Sequence, residues 1–417
     1  MAIDFSPLRD SRDFRLLWIG QLVGNIGRQI TVVALPYQVY LITRSSLMVG
    51  LLALAQAGPL VVFSLAGGAI ADAVDRRRLL LLTQLLLAAT SVALWLGALH
   101  HASVLFLFAV AAVSAGIGAV DQPARSATVP RLVSRDKLPA ALSLQQVLYQ
   151  VSQVAGPSAG GLVIARFGLP YAYAIDAITF CVALATLLAM SPQPPSADAA
   201  RPGWHALVEG FTYLRTNRPV LGSFAVDLNA MIFGMPRALF PALATDTFKV
   251  GATGLGLLHA SVAAGALVGA LMTGWVSRIR RQGAAVLCAV AAWGAAICAF
   301  GLCRRAFWLG LVFLAMAGAA DVFSAVFRNT ILQLSVPDRL RGRVTAVHIM
   351  VVTGGPRLGD LEAGTVASLV SPTFSVVSGG VACMAGVGLL ALVMPSFAQY
   401  QVSLDPDEPP PLPDAPP

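Results

Sequence analysis

Long apolar stretches follow one another along this chain from residue 17 to residue 394. Each is about 20 residues or longer, which at 1.5 Å of helical rise per residue crosses a bilayer core of roughly 30 Å. Because lipid cannot satisfy backbone hydrogen bonds, runs of this length predict helices. We count twelve predicted spans, at residues 17–41, 47–71, 79–99, 103–124, 139–165, 170–190, 219–245, 253–275, 283–303, 306–327, 343–370 and 374–394.

The composition leads to the same fold class. Hydrophobic residues make up 57% of the chain, charged residues only 12%, and the mean hydropathy is +0.76. Soluble domains are about half apolar and about one quarter charged. The sequence therefore excludes a soluble globular protein and predicts an all-α membrane protein.

The basic residues are distributed unevenly between the predicted loops. With the N-terminus inside the cell, twenty of the 28 Lys and Arg lie in inner loops, among them Arg328, and five lie in outer loops. Inner loops of membrane proteins are enriched in Lys and Arg. We therefore expect a multi-pass protein with both termini in the cytoplasm. The net charge of +8 is then a topology signal, and no nucleic-acid partner is expected.

Two related halves are visible in the chain. The stretch from Arg125 resembles the stretch from Arg328, at an offset of 203 residues, and a Pro-rich segment lies between the halves. We predict a first six-helix bundle over residues 1–190 and a second over 219–395. A cytoplasmic linker with an amphipathic helix, 191–218, would join them. An acidic, Pro-rich and disordered tail, 396–417, would follow.

The sequence offers little for chemistry. The five Cys and five His show no metal-ligand spacing or nucleophile–base pattern, and no Walker motif is present. We therefore predict no enzyme activity, no metal and no cofactor. We interpret the cysteines as small apolar core residues. The N-terminal residues do not match the pattern of a cleavable signal peptide.

The predicted inner loop between the second and third spans carries the first specific motif. Residues 67–78 read G-G-A-I-A-D-A-V-D-R-R-R. This resembles the signature loop of the major facilitator superfamily, although Ala73 and Asp75 depart from the pattern. The resemblance implies two pseudo-symmetric six-helix bundles. It also implies a gating role for a set of loop and helix-end residues: Gly68, Asp72, Arg76, Asp121 and Arg125.

In that family the loop aspartate, here Asp72, caps the eleventh helix, and Arg76 would bridge to Asp121.

A second motif, A-G-P-S-A-G-G, occupies residues 155–161 in the fifth span. It resembles the Gly-Pro-x-x-Gly-Gly motif of facilitator antiporters. Alternatively, its small residues would form a seam at which helices pack closely. The matching positions are Gly156, Pro157, Gly160 and Gly161.

Three further runs resemble the enterobactin-exporter branch of the superfamily. They are V-A-L-P-Y-Q-V-Y-L-I-T-R-S-S in the first span, T-V-P-R-L-V-S-R-D-K-L after the fourth, and P-R-A-L-F-P-A-L-A-T-D in the seventh. The resemblance implies a monomeric, proton-driven exporter of the bacterial inner membrane. We expect efflux of a siderophore or a similar mid-sized amphiphile, with a broad multidrug or macrolide exporter as the alternative.

Charged residues inside spans are costly, so each should face a partner or a cavity. Arg28 and Arg237 are predicted in the middle of the first and seventh spans, where they would contact substrate from opposite halves. An internal salt bridge, for example between Arg237 and Asp227, is the alternative. The other candidate substrate contacts are Asn25, Tyr37 and Phe233.

Carboxylates inside spans are candidates for carrying the coupled proton, because a desolvated carboxylate binds a proton more readily. The candidates are Asp227, Asp321, Asp360 and Glu362. Arg357 and Asp360, three residues apart, can share one helix face. The alternative for this region is therefore a structural ion network centred on Arg357.

Overall fold

A computed structural model describes residues 4–194 and 211–401, without the side chains of residues 65–73, 277, 338, 339 and 346. Within these ranges the chain forms helices and turns, and no β-strand. The long helices are α1 (Arg12–Thr43), α2 (Ser46–Ala73), α3 (Arg76–Leu99), α4 (Val104–Leu132), α5 (Leu138–Phe167), α6 (Leu169–Leu188), α7 (Arg218–Phe233), α8 (Gly251–Leu271), α9 (Gln282–Leu302), α10 (Phe307–Ser335), α11 (Asp338–Leu369) and α12 (Pro372–Val393).

Nine helical segments within the described residues are long and apolar enough to cross a membrane. One of them joins α7 to the turns that follow it, as far as Thr247. The long helices outside this set are α1, α5 and α11, which carry more polar and charged side chains, such as Arg28 and Asp360. The prediction of twelve spans is therefore confirmed for nine segments and stays a prediction for these three.

Short polar side chains fix where several helices begin. The side-chain oxygens of Ser11, Ser103, Asn217 and Ser371 each accept the backbone N–H three residues on. This N-cap bond satisfies one of the donors left free in the first helical turn. Gly168, at a φ of 94°, makes the sharp connection between α5 and α6. Helix boundaries thus follow polar residues between the apolar runs.

The seventh span is broken, contrary to the prediction of one continuous run over residues 219–245. Helix α7 ends at Phe233, and Gly234 and Pro236 follow. Proline lacks a backbone N–H and cannot continue a helical ladder. The indole Nε1 of Trp293 donates to the carbonyl of Gly234 at 2.7 Å, which satisfies an acceptor at the broken end.

The chain continues beyond the break through a 3₁₀ turn, Arg237–Leu239, and a wide, π-helical turn, Leu243–Thr247. The expectation that Arg237 lies in the middle of a helix is therefore wrong. Its backbone belongs to the break, and its side chain is exposed.

The chain divides into two compact units. The first comprises Met1–Arg201 with Phe240–Ala260, and the second Pro202–Leu239 with Ser261–Pro417. In the first unit α1 packs on α5 and α6, and α4 packs on α2 and α3. In the second, α9 packs on α10 and α12, and α7 packs on α11.

Part of the predicted linker and tail lies outside the described residues, namely 195–210 and 402–417. Residues 396–401, which the sequence assigned to the tail, pack on the second unit. Phe397 is fully buried beside Gly222, and the carbonyl of Tyr400 accepts the N–H of Gly283 at 3.3 Å.

Candidate functional site

A buried ion pair joins α7 and α10 in the second unit. Nη1 of Arg328 contacts Oδ1 of Asp227, and the two side chains are only 8% and 4% exposed. The placement of Arg328 in an inner loop was wrong, because α10 continues about two turns beyond it to Ser335. Asp227 thus pairs with Arg328, whereas the sequence analysis offered Arg237 as its partner.

Asp321 lies beside this pair on α10. Its Oδ1 is 3.9 Å from Nη2 of Arg328, and its side chain is 49% exposed. Arg237 is close enough for its charge to act on Asp321. One arginine therefore lies between two carboxylates, of which one is buried and the other is accessible.

Asp360, on α11, faces the break after α7. Its Oδ1 accepts the backbone N–H of Ala238 at 3.0 Å, so it holds the turn that carries Arg237. The charges of Arg357 and Arg237 both act on this carboxylate. Asp360 therefore belongs to a group of alternating charges in the second unit.

Glu362 stands apart from this group. It is half-buried on α11, and it makes no hydrogen bond or ion pair with another residue in the part of the chain that the structure describes. The structure thus places Asp227 and Asp321 beside Arg328. Asp360 lies within reach of the charges of Arg357 and Arg237, and Glu362 stays outside both groups.

A small cavity opens between α7, α9 and α10, with room for about one water molecule. Asp227, Asp321 and Arg328 line it on the polar side, and Trp293 lines it on the apolar side. Ser324 also lines it, and its buried Oγ has no hydrogen-bond partner among the described residues. Oδ2 of Asp227 is likewise buried and has no hydrogen-bond partner among the described residues.

The first unit holds a second polar cluster. Oδ2 of buried Asp176 accepts hydrogen bonds from the hydroxyls of Thr31, at 2.6 Å, and Ser91, at 2.7 Å. The charge of Arg28 acts on the same carboxylate. The Arg28 guanidinium lies over Gly118, where an added Cβ would come within 2.8 Å of Nη2. A glycine thus makes room for this exposed arginine.

The other predicted substrate contacts are partly exposed: Asn25 and Tyr37 lie on α1, and Phe233 ends α7. Arg28 lies in the first unit and Arg237 in the second. A substrate cavity flanked by both arginines therefore stays a prediction.

Among the predicted gating residues, Asp121 makes several of the described hydrogen bonds. It is buried on α4, and its carboxylate accepts from the Nε of Arg125 at 2.5 Å, the Thr83 hydroxyl at 2.6 Å and the Gln84 amide at 3.0 Å. Arg76 is also buried, and its Nη1 donates to the carbonyl of Ala127 at 2.9 Å.

The side chain of Asp72 and the surroundings of Gly68 lie outside what the structure describes. The cap that Asp72 would form on α11 therefore stays a prediction. So does the bridge from Arg76 to Asp121, since the described partners of Asp121 are Thr83, Gln84 and Arg125.

The glycine motif of α5 lies against two helices of the first unit. A Cβ on Gly156 would meet the carbonyl of Ile26 at 3.1 Å, and one on Gly160 would meet Cα of Ile30 at 3.2 Å, both on α1. On Gly161 it would come within 2.5 Å of the Ala252 carbonyl. Only glycine allows the backbones to approach this closely.

Comparisons with known proteins agree with these features. A family model described as transmembrane secretion effector, within the major facilitator superfamily, matches residues 2–414. The chain belongs to this family. The facilitator resemblance is thereby confirmed, and the chain is a multi-pass membrane transporter, not an enzyme.

Relatives of this facilitator include proteins named enterobactin exporter EntS. Those of Shigella boydii serotype 18 and Escherichia coli O1:K1 are each 27% identical to it over 403 residues, which is 96% of either chain. Similar solved structures are the nucleoside transporter NupG (TM-score 0.72, 15% identity, 93% and 99% of the two chains) and a bacterial homologue of the iron transporter ferroportin (0.68, 17%, 93% and 99%). These structures confirm the facilitator fold.

One polar cluster of this facilitator escaped the sequence analysis. The hydroxyl of buried Tyr40, near the end of α1, donates to Asp246, and Nη1 of Arg44 is 3.6 Å from the other carboxylate oxygen. Asp246 lies in the wide turn Leu243–Thr247, a geometry often found at functional sites. The partners are about 200 residues apart, so no local pattern could indicate them.

The close packing at the glycine motif of α5 can be tested by substitution. Gly161→Ala should destabilise the protein by about 1–3 kcal/mol, because a methyl group would press on the backbone of α8. Thermal unfolding of the purified protein measures the effect. Gly388→Ala is the matched control, since an added Cβ there meets nothing within 4 Å. Equal melting temperatures for the two variants would contradict the close packing.

Proposed function

We propose that this facilitator exports a mid-sized, anionic or aromatic amphiphile of the siderophore type in exchange for protons. The observation that carries the proposal is the 27% identity to enterobactin exporters over 96% of both chains. A match of this length relates the whole transporter, including the helices that would line a substrate path.

The arginines support an acidic substrate. Arg28 and Arg237 are both exposed side chains on chain segments that belong to the predicted spans. A guanidinium binds carboxylates and stacks on aromatic rings, so it suits a catechol-like or carboxylate-bearing molecule. Asn25, Tyr37 and Phe233, each partly exposed, would complete the contacts.

Proton coupling would use the carboxylates of the second unit. Asp227, Asp321 and Asp360 lie among arginines that compete with protons for the same oxygens. Transport would proceed by alternating access of a monomer between two six-helix bundles, 1–190 and 219–395. Asp72, Arg76, Asp121 and Arg125 would gate it.

The protein would reside in the bacterial inner membrane with both termini in the cytoplasm, where a reporter fused at either end should give an inside signal. An outside signal would overturn this orientation.

Export from cells tests the substrate class. Cells that make enterobactin but lack their own exporter should release it when they express this protein, and a protonophore should abolish the release. A cationic dye, measured in the same cells, serves as the comparison. If only the dye is expelled, the protein is instead a multidrug exporter.

A further inference from the structure

The small cavity between α7, α9 and α10 in the second unit is lined by charged side chains and by buried polar atoms that lack hydrogen-bond partners among the described residues. Oδ2 of Asp227 and Oγ of Ser324 are both buried and lack partners among the described residues. Both residues line a cavity with room for about one water molecule. A buried polar atom without a partner is costly, and a water that bridges such atoms removes the cost.

We propose that this cavity holds a bridging water, and that Asp321, the water and Asp227 form a proton relay in which Arg328 exchanges partners. The proposal rests on the proton-coupled export proposed above and specifies its proton site. Asp321 is half exposed and would take the proton from solvent, whereas Asp227 is buried and would receive it.

The transfer leaves the total charge unchanged. At first Asp321 is protonated, and ionised Asp227 pairs with Arg328. The Asp321 proton passes to the water while the water passes one of its own protons to Asp227. Neutral Asp227 then no longer holds the guanidinium, and ionised Asp321 takes its place. Nη2 of Arg328 is already 3.9 Å from Oδ1 of Asp321, so the exchange needs only a small movement.

Groups on the neighbouring elements would bias this exchange. Arg237, in the break after α7, is close enough for its positive charge to act on Asp321. On α11, His348 stacks edge-on against Phe224 of α7 at 5.3 Å and senses the charge of Arg328. Helix α9 contributes Trp293, an indole that carries no charge at any ordinary pH. On α12, the Cys383 carbonyl accepts from the Asn229 amide at 2.9 Å, two residues along α7 from Asp227.

Infrared spectroscopy of the full-length protein in lipid tests the relay directly. A pH titration should reveal the carbonyl stretch of protonated carboxylic acids. Asp227→Asn and Asp321→Asn should each remove a part of that band. A band that keeps its full wild-type intensity in both variants would overturn the relay whatever the transport assay gives.

A serine substitution tests the water without touching the ion pair. Ser324→Ala should slow proton-driven enterobactin export in proteoliposomes roughly tenfold, because the water loses one of its partners. Ser223→Ala is the control, since that buried hydroxyl already donates to the Val220 carbonyl at 2.8 Å. Equal rates for the two variants would contradict a relay through the cavity water.

Variants at the Asp227–Arg328 pair distinguish a failure of the relay from a failure of proton coupling. If Asp227→Asn does not fold, the double variant Asp227→Asn/Arg328→Met removes both charges and keeps side chains of similar volume. It should bind substrate but lose proton-driven export. If wild-type export is proton-driven and the double variant remains so, the relay fails and the coupling stands. If wild-type export ignores the gradient, the proposed coupling fails.

Discussion

Arg328→Met should destabilise the protein by about 3–5 kcal/mol, because it leaves the Asp227 carboxylate buried without its counter-charge. Methionine fills a similar volume, so the loss would come from the charge and not from a cavity. Unfolding of the purified protein by heat or detergent, followed by circular dichroism, measures the change.

The double variant Asp227→Leu/Arg328→Met is the matched control. Replacing both members of a buried ion pair with apolar side chains is often neutral or stabilising. We therefore expect it to recover most of the loss while abolishing proton-driven export. A single variant as stable as the wild type would show that the two charges do not depend on each other.

Arg237→Ala should reduce enterobactin export by about 10- to 100-fold, the cost of losing a charge-assisted hydrogen bond of roughly 1.5–3 kcal/mol. Its guanidinium is exposed, and its charge acts on Asp321 and Asp360. Initial rates of export at equal protein levels measure the effect. Export of a cationic dye should change little, because a cation gains nothing from the arginine.

Two further arginine variants separate substrate contact from other effects. Arg237→Lys keeps the charge but not the planar fork, so it should restore export only in part. Arg166→Ala, at the exposed end of α5, should leave export unchanged. Wild-type enterobactin export by Arg237→Ala would contradict the proposed role of Arg237.

Helix placement was largely predictable from the sequence, because lipid imposes length and apolarity on each span. The predicted span 79–99 became Arg76–Leu99, and 253–275 became Gly251–Leu271. The break after Phe233 was missed. Gly234 and Pro236 are visible in the sequence, but apolar residues continue on either side and conceal it.

The candidate site was harder to predict than the helices. Buried carboxylates could be recognised one by one, since a charge within an apolar run is costly wherever its partner lies. The pairing of Asp227 with Arg328 joins residues about 100 positions apart, and Arg328 follows the end of the apolar run assigned to its helix. Only tertiary packing specifies such a contact.

We propose that this facilitator exports a siderophore by using the proton gradient. The most direct test is the purified protein in proteoliposomes loaded with a pH-sensitive dye, with enterobactin and a pH gradient imposed across the bilayer. We expect that the gradient drives enterobactin across the bilayer, that protons move in the opposite direction, and that a protonophore stops both. Enterobactin movement that is unaffected by the gradient, or proton movement without any enterobactin transport, would contradict it.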